Sequence, residues 1–278
     1  MYAPEVDSTL TEFARLIREN CCVLATERAA GPLKTGVDLG TANIVLSVVD
    51  QDNKPVAGAM LPSKVVRDGI VVDYVGAVDV VRKLKAQLEA RLGCELKHAG
   101  TAIPPGILPG NVRAIANVVE AAGFEVVEVS DEPTAASRVL GVRDGAVVDV
   151  GGGTTGISIL KNGEVVFTDD EATGGTHMTL VLAGAYGIST EQAETIKTDE
   201  AVSGDVFSVV QPVVEKIASI VNRCLRGHDD VETVYVVGGA CSFDGFESVL
   251  RKLTGRQIVK PAHPLLVTPL GIAMYGGN

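Results

Sequence analysis

The sequence is poor in aromatic and basic residues, and none of its 278 residues is tryptophan. Aromatic residues make up 4% of the chain, and 24 basic against 35 acidic residues give a formal net charge of −11. The basic residues are dispersed, so no surface strip for a phosphate backbone is expected, and we exclude nucleic acid as a partner. No apolar run reaches the roughly 18 residues of a membrane span, and no signal-peptide pattern opens the chain, so we expect a cytoplasmic protein.

Cysteine and histidine usage excludes two further classes. The five cysteines are odd in number, two are neighbours and none has CxxC spacing, which excludes a disulfide framework and predicts reduced thiols at Cys21, Cys22, Cys94, Cys224 and Cys241. The four histidines form no HxxxH or His/Cys cluster, so no zinc site is indicated. No G-x-S-x-G motif supports a serine hydrolase. What remains is a chain that is 46% apolar and can bury a substantial core.

The first 35 residues form a separate segment. Ser8 is predicted to cap an amphipathic helix, because apolar residues follow at spacings of three and four: Leu10, Phe13, Leu16, Ile17 and Cys21. Residues 26–35 contain a Gly-Pro break and no periodicity, so they are predicted to be a linker. The apolar face of this helix is either a docking surface or folds back onto the rest of the chain.

From Gly36 onward, β-strands and helices alternate, and the second half repeats the opening of the first. Asp38 ends a predicted strand and precedes Gly40 and Thr41, and Asp149, 111 residues later, ends another and precedes the glycines at 151–153. In both halves a hairpin follows, with turns at 50–53 and 161–163. The pattern predicts a duplicated α/β unit.

An Asp at a strand end followed by a Gly/Thr turn is typical of phosphate handling. Glycines let backbone N–H groups approach an anion, a threonine hydroxyl adds a donor, and the aspartate binds hydrated Mg²⁺. Each turn alone is equally well explained as an ordinary glycine turn; two in the same context favour a phosphate site. The glycines 151, 153 and 156 also satisfy G-x-G-x-x-G, but a hairpin follows instead of a helix, so dinucleotide binding is not predicted. A Walker-type P-loop is absent.

Two other segments carry weaker signals. Glu132 opens a short predicted helix at 131–136, where it is either an ordinary first-turn acid or a group that orients a water. Gly238 and Gly239 follow the strand Thr233–Val237 and precede a predicted helix over Phe243–Leu253. They support either a close backbone approach to a flat base or a tight strand-to-helix turn.

Five segments in one order resemble the superfamily of actin, the DnaK-type chaperones, MreB and the sugar and acetate kinases. GVDLGTANIVLSVVD (36–50) and VVDVGGGTTGISIL (147–160) resemble its two phosphate motifs, and VYVVGGACSFDGFESVLRKLTG (234–255) resembles its adenosine motif. DEPTAAS (131–137) and TPLGIAMYG (268–276) resemble its hinge helices. The resemblance implies a duplicated ribonuclease-H-like, actin-like ATPase fold of the α/β class, with two lobes around a nucleotide cleft. Residues 36–140 would form lobe I, and residues 141–278 lobe II, with the helix 268–276 returning to the hinge.

This resemblance implies ATP and Mg²⁺ as cofactors and assigns roles residue by residue. Asp38 and Asp149 would hold Mg²⁺ through water, and Glu132 would orient the attacking water; these three are the predicted catalytic residues. The predicted nucleotide-binding residues are Gly40, Thr41, Ala42, Asn43, Gly151, Gly152, Gly153, Thr154, Gly174, Gly175, Glu194, Lys197, Gly238 and Gly239. Ala135, Ala136, Ala273 and Gly276 are small, as crossing hinge helices require.

Three departures from the superfamily pattern predict weak ATP hydrolysis. Gly156 stands where DnaK-type chaperones have Asp and MreB has Glu. Ser242 replaces the Arg that stacks on adenine in the chaperones. The chaperone's catalytic Lys has no clear counterpart in residues 50–100, where Lys64 and Arg67 are weak candidates.

Within this superfamily, VVRDGIVVDYVGAV (65–78), GTAIPPG (100–106) and DEATGGTH (170–177) resemble a compact family of ethanolamine utilization proteins. That resemblance implies a chaperone-like ATP-binding protein that assists ethanolamine ammonia-lyase or microcompartment assembly. The alternative is a scaffold similar to MreB or pilus proteins with little hydrolysis. A small-molecule kinase is the third reading, and the N-terminal helix would be a candidate microcompartment-targeting segment.

Overall fold

The computed structural model describes residues 5–24, 26–27, 31–199 and 203–276. Two five-stranded mixed sheets dominate it, with the orders β3-β2-β1-β6-β7 and β10-β9-β8-β11-β12. Each sheet therefore has an antiparallel three-stranded half and a parallel half, in the same sequence of neighbours. The α/β class and the two-lobed architecture agree with the sequence prediction. No helix among the described residues is long and apolar enough to cross a membrane.

Lobe I is built on the first sheet. Its strands are β1 (Lys34–Leu39), β2 (Asn43–Val49), β3 (Pro55–Pro62), β6 (His98–Ile103) and β7 (Glu125–Asp131), and its helices are α2 (Tyr74–Leu92) and α3 (Pro109–Ala121). A small hairpin of β4 (Val66–Arg67) and β5 (Ile70–Val71) precedes α2. The apolar faces of α2 and α3 pack on the sheet and bury Leu84, Leu88 and Ile115. The linker prediction was too long, because β1 already begins at Lys34; Ala25 and residues 28–30 lie outside the described part of the chain.

Lobe II is built on the second sheet. Its strands are β8 (Gly145–Val150), β9 (Thr155–Lys161), β10 (Glu164–Glu171), β11 (Thr233–Val237) and β12 (Gln257–Val259). Its helices are α5 (Gly175–Tyr186), α6 (Thr190–Lys197), α7 (Ser203–Cys224) and α8 (Phe246–Thr254). The predicted helix start at Phe243 was wrong, because α8 begins at Phe246. A 3₁₀ turn over Gly239–Cys241 comes first, and Gly245, in the left-handed conformation, directly precedes α8.

Two helices connect the lobes beneath the cleft. Helix α4 (Glu132–Leu140) and helix α9 (Val267–Tyr275) cross so closely that a Cβ on Gly271 would collide with the backbone carbonyl of Ala135. Ser47 of lobe I also donates a hydrogen bond of 2.5 Å to the Pro269 carbonyl in α9. Three of the four small residues expected at the hinge, Ala135, Ala136 and Ala273, are fully buried on these two helices. The fourth, Gly276, follows α9 and lies against the Thr35 carbonyl of β1.

The N-terminal helix α1 (Glu5–Arg18) folds back onto both lobes. Leu10, Phe13 and Leu16 are fully buried, and Phe13 lies against Gly58 of β3. At the other end of the helix, the Ala262 amide of lobe II donates a 2.8 Å hydrogen bond to Asp7. The face proposed for targeting is therefore packed against the protein, and the folded-back alternative is the correct one.

Two details of the N-terminal segment differ from the sequence prediction. Ser8 lies within α1, where its hydroxyl donates to the Glu5 carbonyl at 2.7 Å, so it is not the helix cap. Cys21 lies beyond the helix, and the next residue, Cys22, forms a β-bridge with Ala57 of β3. All five cysteines are free thiols, as expected.

Candidate nucleotide-binding cleft

A cleft of about 460 Å³ opens between the two lobes above the hinge helices. Its volume is in the range of pockets that enclose small ligands. It is lined by fifteen of the residues predicted from sequence, together with Glu132: Asp38, Gly40, Thr41, Ala42, Asn43, Asp149, Gly151, Gly152, Gly153, Thr154, Gly175, Glu194, Lys197, Gly238 and Gly239. Gly174 does not line the cleft; it is buried directly behind the turn at 151–153.

The two glycine turns face each other across the cleft. A Cβ on Gly152 would lie 3.2 Å from the Ala42 amide nitrogen and 3.3 Å from Thr41 Cβ, so the turn of lobe II already touches the turn of lobe I. Both turns follow a strand whose last residue but one is aspartate, Asp38 in β1 and Asp149 in β8, and both strands have their carboxyl ends at the cleft. Duplication of one unit thus brings together two anion-binding backbones from distant parts of the sequence.

Helix α5 fixes the turn of lobe II from behind. The Gly175 amide donates to the Gly151 carbonyl at 2.9 Å, and the Thr176 amide donates to the Gly152 carbonyl at 2.7 Å. Gly174 is required for this approach, because its Cβ would lie 2.5 Å from the Gly151 carbonyl oxygen. With these carbonyls held by α5, the amides of the turn remain oriented for an anion in the cleft.

Three carboxylates lie at the base of the cleft. Asp149 is 5% exposed and accepts a 2.5 Å hydrogen bond from the Thr268 hydroxyl of α9. Burial raises the pKa of Asp38 to about 7, with a further contribution from Asp149, and burial raises the pKa of Asp149 to about 6. The pKa of Glu132 is also raised, by burial and then by the charges of Asp149 and Asp38.

These acids have no cationic partner among the ion pairs of the described residues. Buried carboxylates without a counter-charge are unfavourable, and a divalent cation with its waters supplies that charge. In the described part of the chain, no three Asp, Glu, His or Cys side chains are placed to hold one metal ion directly. The donor set therefore fits a hydrated cation held through water.

Helix α6 and the adenosine-like motif form the other end of the cleft. Lys197 Nζ pairs with Glu194 at 2.7 Å and donates to the Gly175 carbonyl at 3.1 Å, so the lysine is held by its neighbours. Gly238 has φ +90, and a Cβ there would collide with the Val150 carbonyl, so only glycine fits. Apolar walls here come from residues that the sequence reasoning did not assign, Phe243 and Leu265.

Lys64 and Arg67, the candidate counterparts of the chaperone's catalytic lysine, lie away from the three carboxylates of the cleft. Lys64 is 84% exposed and pairs with Glu191 of lobe II at 3.4 Å, and neither residue lines the cleft. Arg67 is exposed on β4 and does not line the cleft. Of the described residues that line the cleft, Lys197 is the only cation.

Sequence reasoning also missed Thr268 and Asp170. Thr268 was visible only as part of a hinge-like motif, and its hydrogen bond to Asp149 depends on how α9 returns to the cleft. Asp170 lies on β10, and nothing in the local sequence distinguishes it from its acidic neighbours. Only strand register reveals its position.

Comparisons with known proteins agree with this geometry. A model of type IV pilus assembly protein PilM matches residues 133–268, and one of MreB/Mbl protein matches residues 56–183. The ethanolamine utilization protein EutJ of Salmonella typhimurium is 46% identical over 246 residues, which cover 88% of this chain and 86% of the relative. The crystal structure of EutJ from Carboxydothermus hydrogenoformans superposes with a TM-score of 0.92, at 49% identity, over 98% of both chains. MreB5 of Spiroplasma citri bound to AMPPNP shares the fold, with a TM-score of 0.70 at 18% identity, over 87% of this chain and 95% of that one.

The duplicated sheets, the crossing hinge helices and the cleft between them define a protein of the actin-like ATPase fold. Within that class, identity of 46% over most of both chains fixes the family. The chain belongs to the EutJ family of ethanolamine utilization proteins.

Proposed function

We propose that this protein binds ATP with Mg²⁺ in the cleft and uses closure of the lobes to control a partner in ethanolamine utilization. The observation that carries the proposal is the placement of Asp38, Glu132 and Asp149 between two facing glycine turns, without a cationic side chain beside them. The glycine turns suit phosphate oxygens, and the carboxylates suit a hydrated cation on the same phosphates.

Each predicted residue has a role that follows from its position. Asp38 and Asp149 would hold the cation through its waters, and the amides of both turns would bind the phosphates. Phe243 and Leu265, beside Gly238 and Gly239, would enclose the base. A bound Mg²⁺ would neutralise the phosphate and carboxylate charges together.

Hydrolysis is expected to be slow. Glu132 is positioned to accept a proton from a water in the cleft, but the described lobe I residues place no lysine or arginine beside the phosphate turns. Without such a cation, charge that develops on the transferred phosphoryl group is stabilised less. The protein would therefore act as an ATP-gated switch and at most as a weak ATPase.

The expected partner is an enzyme of ethanolamine catabolism, with the ammonia-lyase as first candidate, and the role is chaperone-like. The EutJ relatives support the pathway, and the resemblance to DnaK-type chaperones supports the mode of action. Association with a bacterial microcompartment would come through this partner or through the shell, since the apolar face of α1 is buried. A pulldown with the full chain and ATP should recover the ammonia-lyase or a shell protein; recovery of neither would remove this part of the proposal.

Calorimetric titration with ATP and Mg²⁺ tests nucleotide binding. We expect one site per chain in the parent protein, loss of binding in Asp149→Ala, and unchanged binding in the control Asp79→Ala, because Asp79 is 65% exposed on α2. Phosphate release measured on the same samples should be slow. Absence of heat in the parent protein would overturn the proposal.

A scaffold function is the second candidate, and one observation favours it. Helix α5 has apolar residues on its outer side, where Leu180 is 54% and Tyr186 is 44% exposed. A helix that is apolar on all sides is usually buried in a protein interior or an interface. In the scaffold function, a second copy of the chain would bury the outer side of α5. Polymers that form with rising concentration in light scattering, with or without ATP, would favour this function over the switch.

A further inference from the structure

One row of residues crosses three neighbouring strands of lobe II at the cleft. Gly156 of β9 is paired with Asp149 of β8 on one side and with Asp170 of β10 on the other. Directly paired residues in antiparallel strands place their side chains on the same face of the sheet. Asp149 and Asp170 therefore lie on one face, separated by a residue that has no side chain.

A side chain at Gly156 would require facing prolines of lobe I to shift by a few tenths of an ångström. A Cβ at this position would lie 3.1 Å from Pro133 Cγ and 3.2 Å from Pro105 Cδ, and both prolines belong to lobe I. Pro133 follows Glu132 directly, so the same contact brings Glu132 over the row. The space in which the superfamily resemblance places an acid is thus filled by the prolines of the opposite lobe.

Asp170 has the surroundings of a functional carboxylate. Its Oδ1 atom is buried and has no hydrogen-bond partner among the described residues. Burial raises its pKa to about 6, against a hydrogen bond donated by the Thr154 hydroxyl, and the charges of Asp169 and Asp149 add to the rise. The charge of Asp170 also contributes to the raised pKa of Glu132. Asp170 therefore interacts electrostatically with Asp149 and Glu132 of the cleft, although it does not line the cleft wall.

We propose that Asp170 is the second carboxylate of lobe II, and that with Asp149 it binds the water shell of the divalent cation that accompanies the nucleotide. It replaces the acid that is missing at Gly156 by one from the adjacent strand. This inference rests on the proposed nucleotide site and names one of its cation-holding residues. One oxygen of Asp170 accepts from Thr154 in the phosphate turn, and the other is available to a cation-bound water.

The alternative is a positioning role, in which Asp170 only orients Thr154. The two roles differ in their dependence on the cation. A residue that holds the cation affects nucleotide binding only when the cation is present, whereas a residue that orients the turn affects binding with and without it.

The test is calorimetric titration of the full chain with a non-hydrolysable ATP analogue, in Mg²⁺ and in EDTA, for the parent, Asp170→Asn and Asp169→Asn. Asp169 is the matched control, since it is the preceding residue on β10, faces the other side of the sheet and lies 3.8 Å from Arg223. We expect Asp170→Asn to lose about tenfold in affinity in Mg²⁺, with no loss of affinity in EDTA and a melting temperature no lower than that of the parent, because the replaced carboxylate has a pKa raised by burial. Asp169→Asn should match the parent in both buffers.

Three results would overturn the inference, and they are distinguishable. Equal affinities of Asp170→Asn and the parent in Mg²⁺ would exclude a role with the cation. An equal loss in Mg²⁺ and EDTA would assign Asp170 to positioning Thr154. Absence of binding by the parent in Mg²⁺ would overturn the proposed nucleotide site itself.

Discussion

Asp38 illustrates how a single residue at the base of the cleft sets the dependence of stability on pH. Its pKa of about 7 in the folded protein lies above the ordinary value of 3.8, because it is buried near Asp149. Because the pKa of this carboxylate is higher in the folded than in the unfolded state, the folded state binds a proton that the unfolded state has already lost at pH values between the two. Stability is therefore highest below the ordinary value of 3.8 with respect to this group, and falls as the pH rises from there through about 7, where the loss is complete.

Replacement of Asp38 by Asn removes that charge. One pKa unit is equivalent to about 1.4 kcal/mol, and the shift is shared with Asp149, so we expect Asp38→Asn to gain about 2 kcal/mol of unfolding free energy at pH 8. The gain should shrink toward pH 5. Urea unfolding without ligand at both pH values measures it, and equal pH dependence of parent and variant would contradict the assignment.

Gly174 shows how one glycine holds the phosphate turn of lobe II. Its Cβ would meet the Gly151 carbonyl at 2.5 Å, so Gly174→Ala should push α5 from the turn and weaken nucleotide binding by more than about tenfold. Gly184→Ala, within α5, is the control, because a Cβ there meets nothing within 4 Å. It should bind normally and gain about 0.5–1 kcal/mol of stability. Similar calorimetric affinities for the two variants would show that the contact at Gly174 is unimportant.

Among the elements, helix α1 contacts both lobes without lining the cleft. Its contacts reach Gly58 in lobe I and the Ala262 amide in lobe II. Phe13 is fully buried there, so Phe13→Ala should cost about 3–5 kcal/mol of unfolding free energy. Arg18→Ala, at the exposed end of the same helix, should cost less than about 0.5 kcal/mol. Equal denaturation midpoints for both variants would mean that α1 does not pack as described.

The elements also show what sequence patterns could predict. Strand β11 was predicted with its observed bounds, because it is a short apolar run closed by Gly238 and Gly239. The end of α1 nearest the N-terminus was not, because Glu5 and Asp7 form a first turn before the apolar spacing begins, and Ser8 is a strong cap residue in the wrong place. Whether α1 folds back depends on Gly58, 45 residues after Phe13, and no local pattern encodes that contact.

The whole molecule is a pair of similar sheets joined at α4 and α9, and this arrangement explains why most of the predicted site residues line one cleft. Each phosphate motif carries its own strand, turn and glycines, so the motif predicts its local structure. The duplication then predicts that the two motifs meet. Asp170 and Thr268 could not be predicted in the same way, because their positions depend on strand register and on the return of α9 across the hinge.

The central claim is that both lobes bind one nucleotide, and hydrogen–deuterium exchange with and without ATP and Mg²⁺ tests it most directly. We expect slower exchange in peptides that cover 38–46 of lobe I and 149–157 and 237–242 of lobe II, with no change in α3, which lies away from the cleft. Protection of all three segments would establish a clamp formed by both lobes. Protection confined to one lobe, or absent from all three segments, would contradict it.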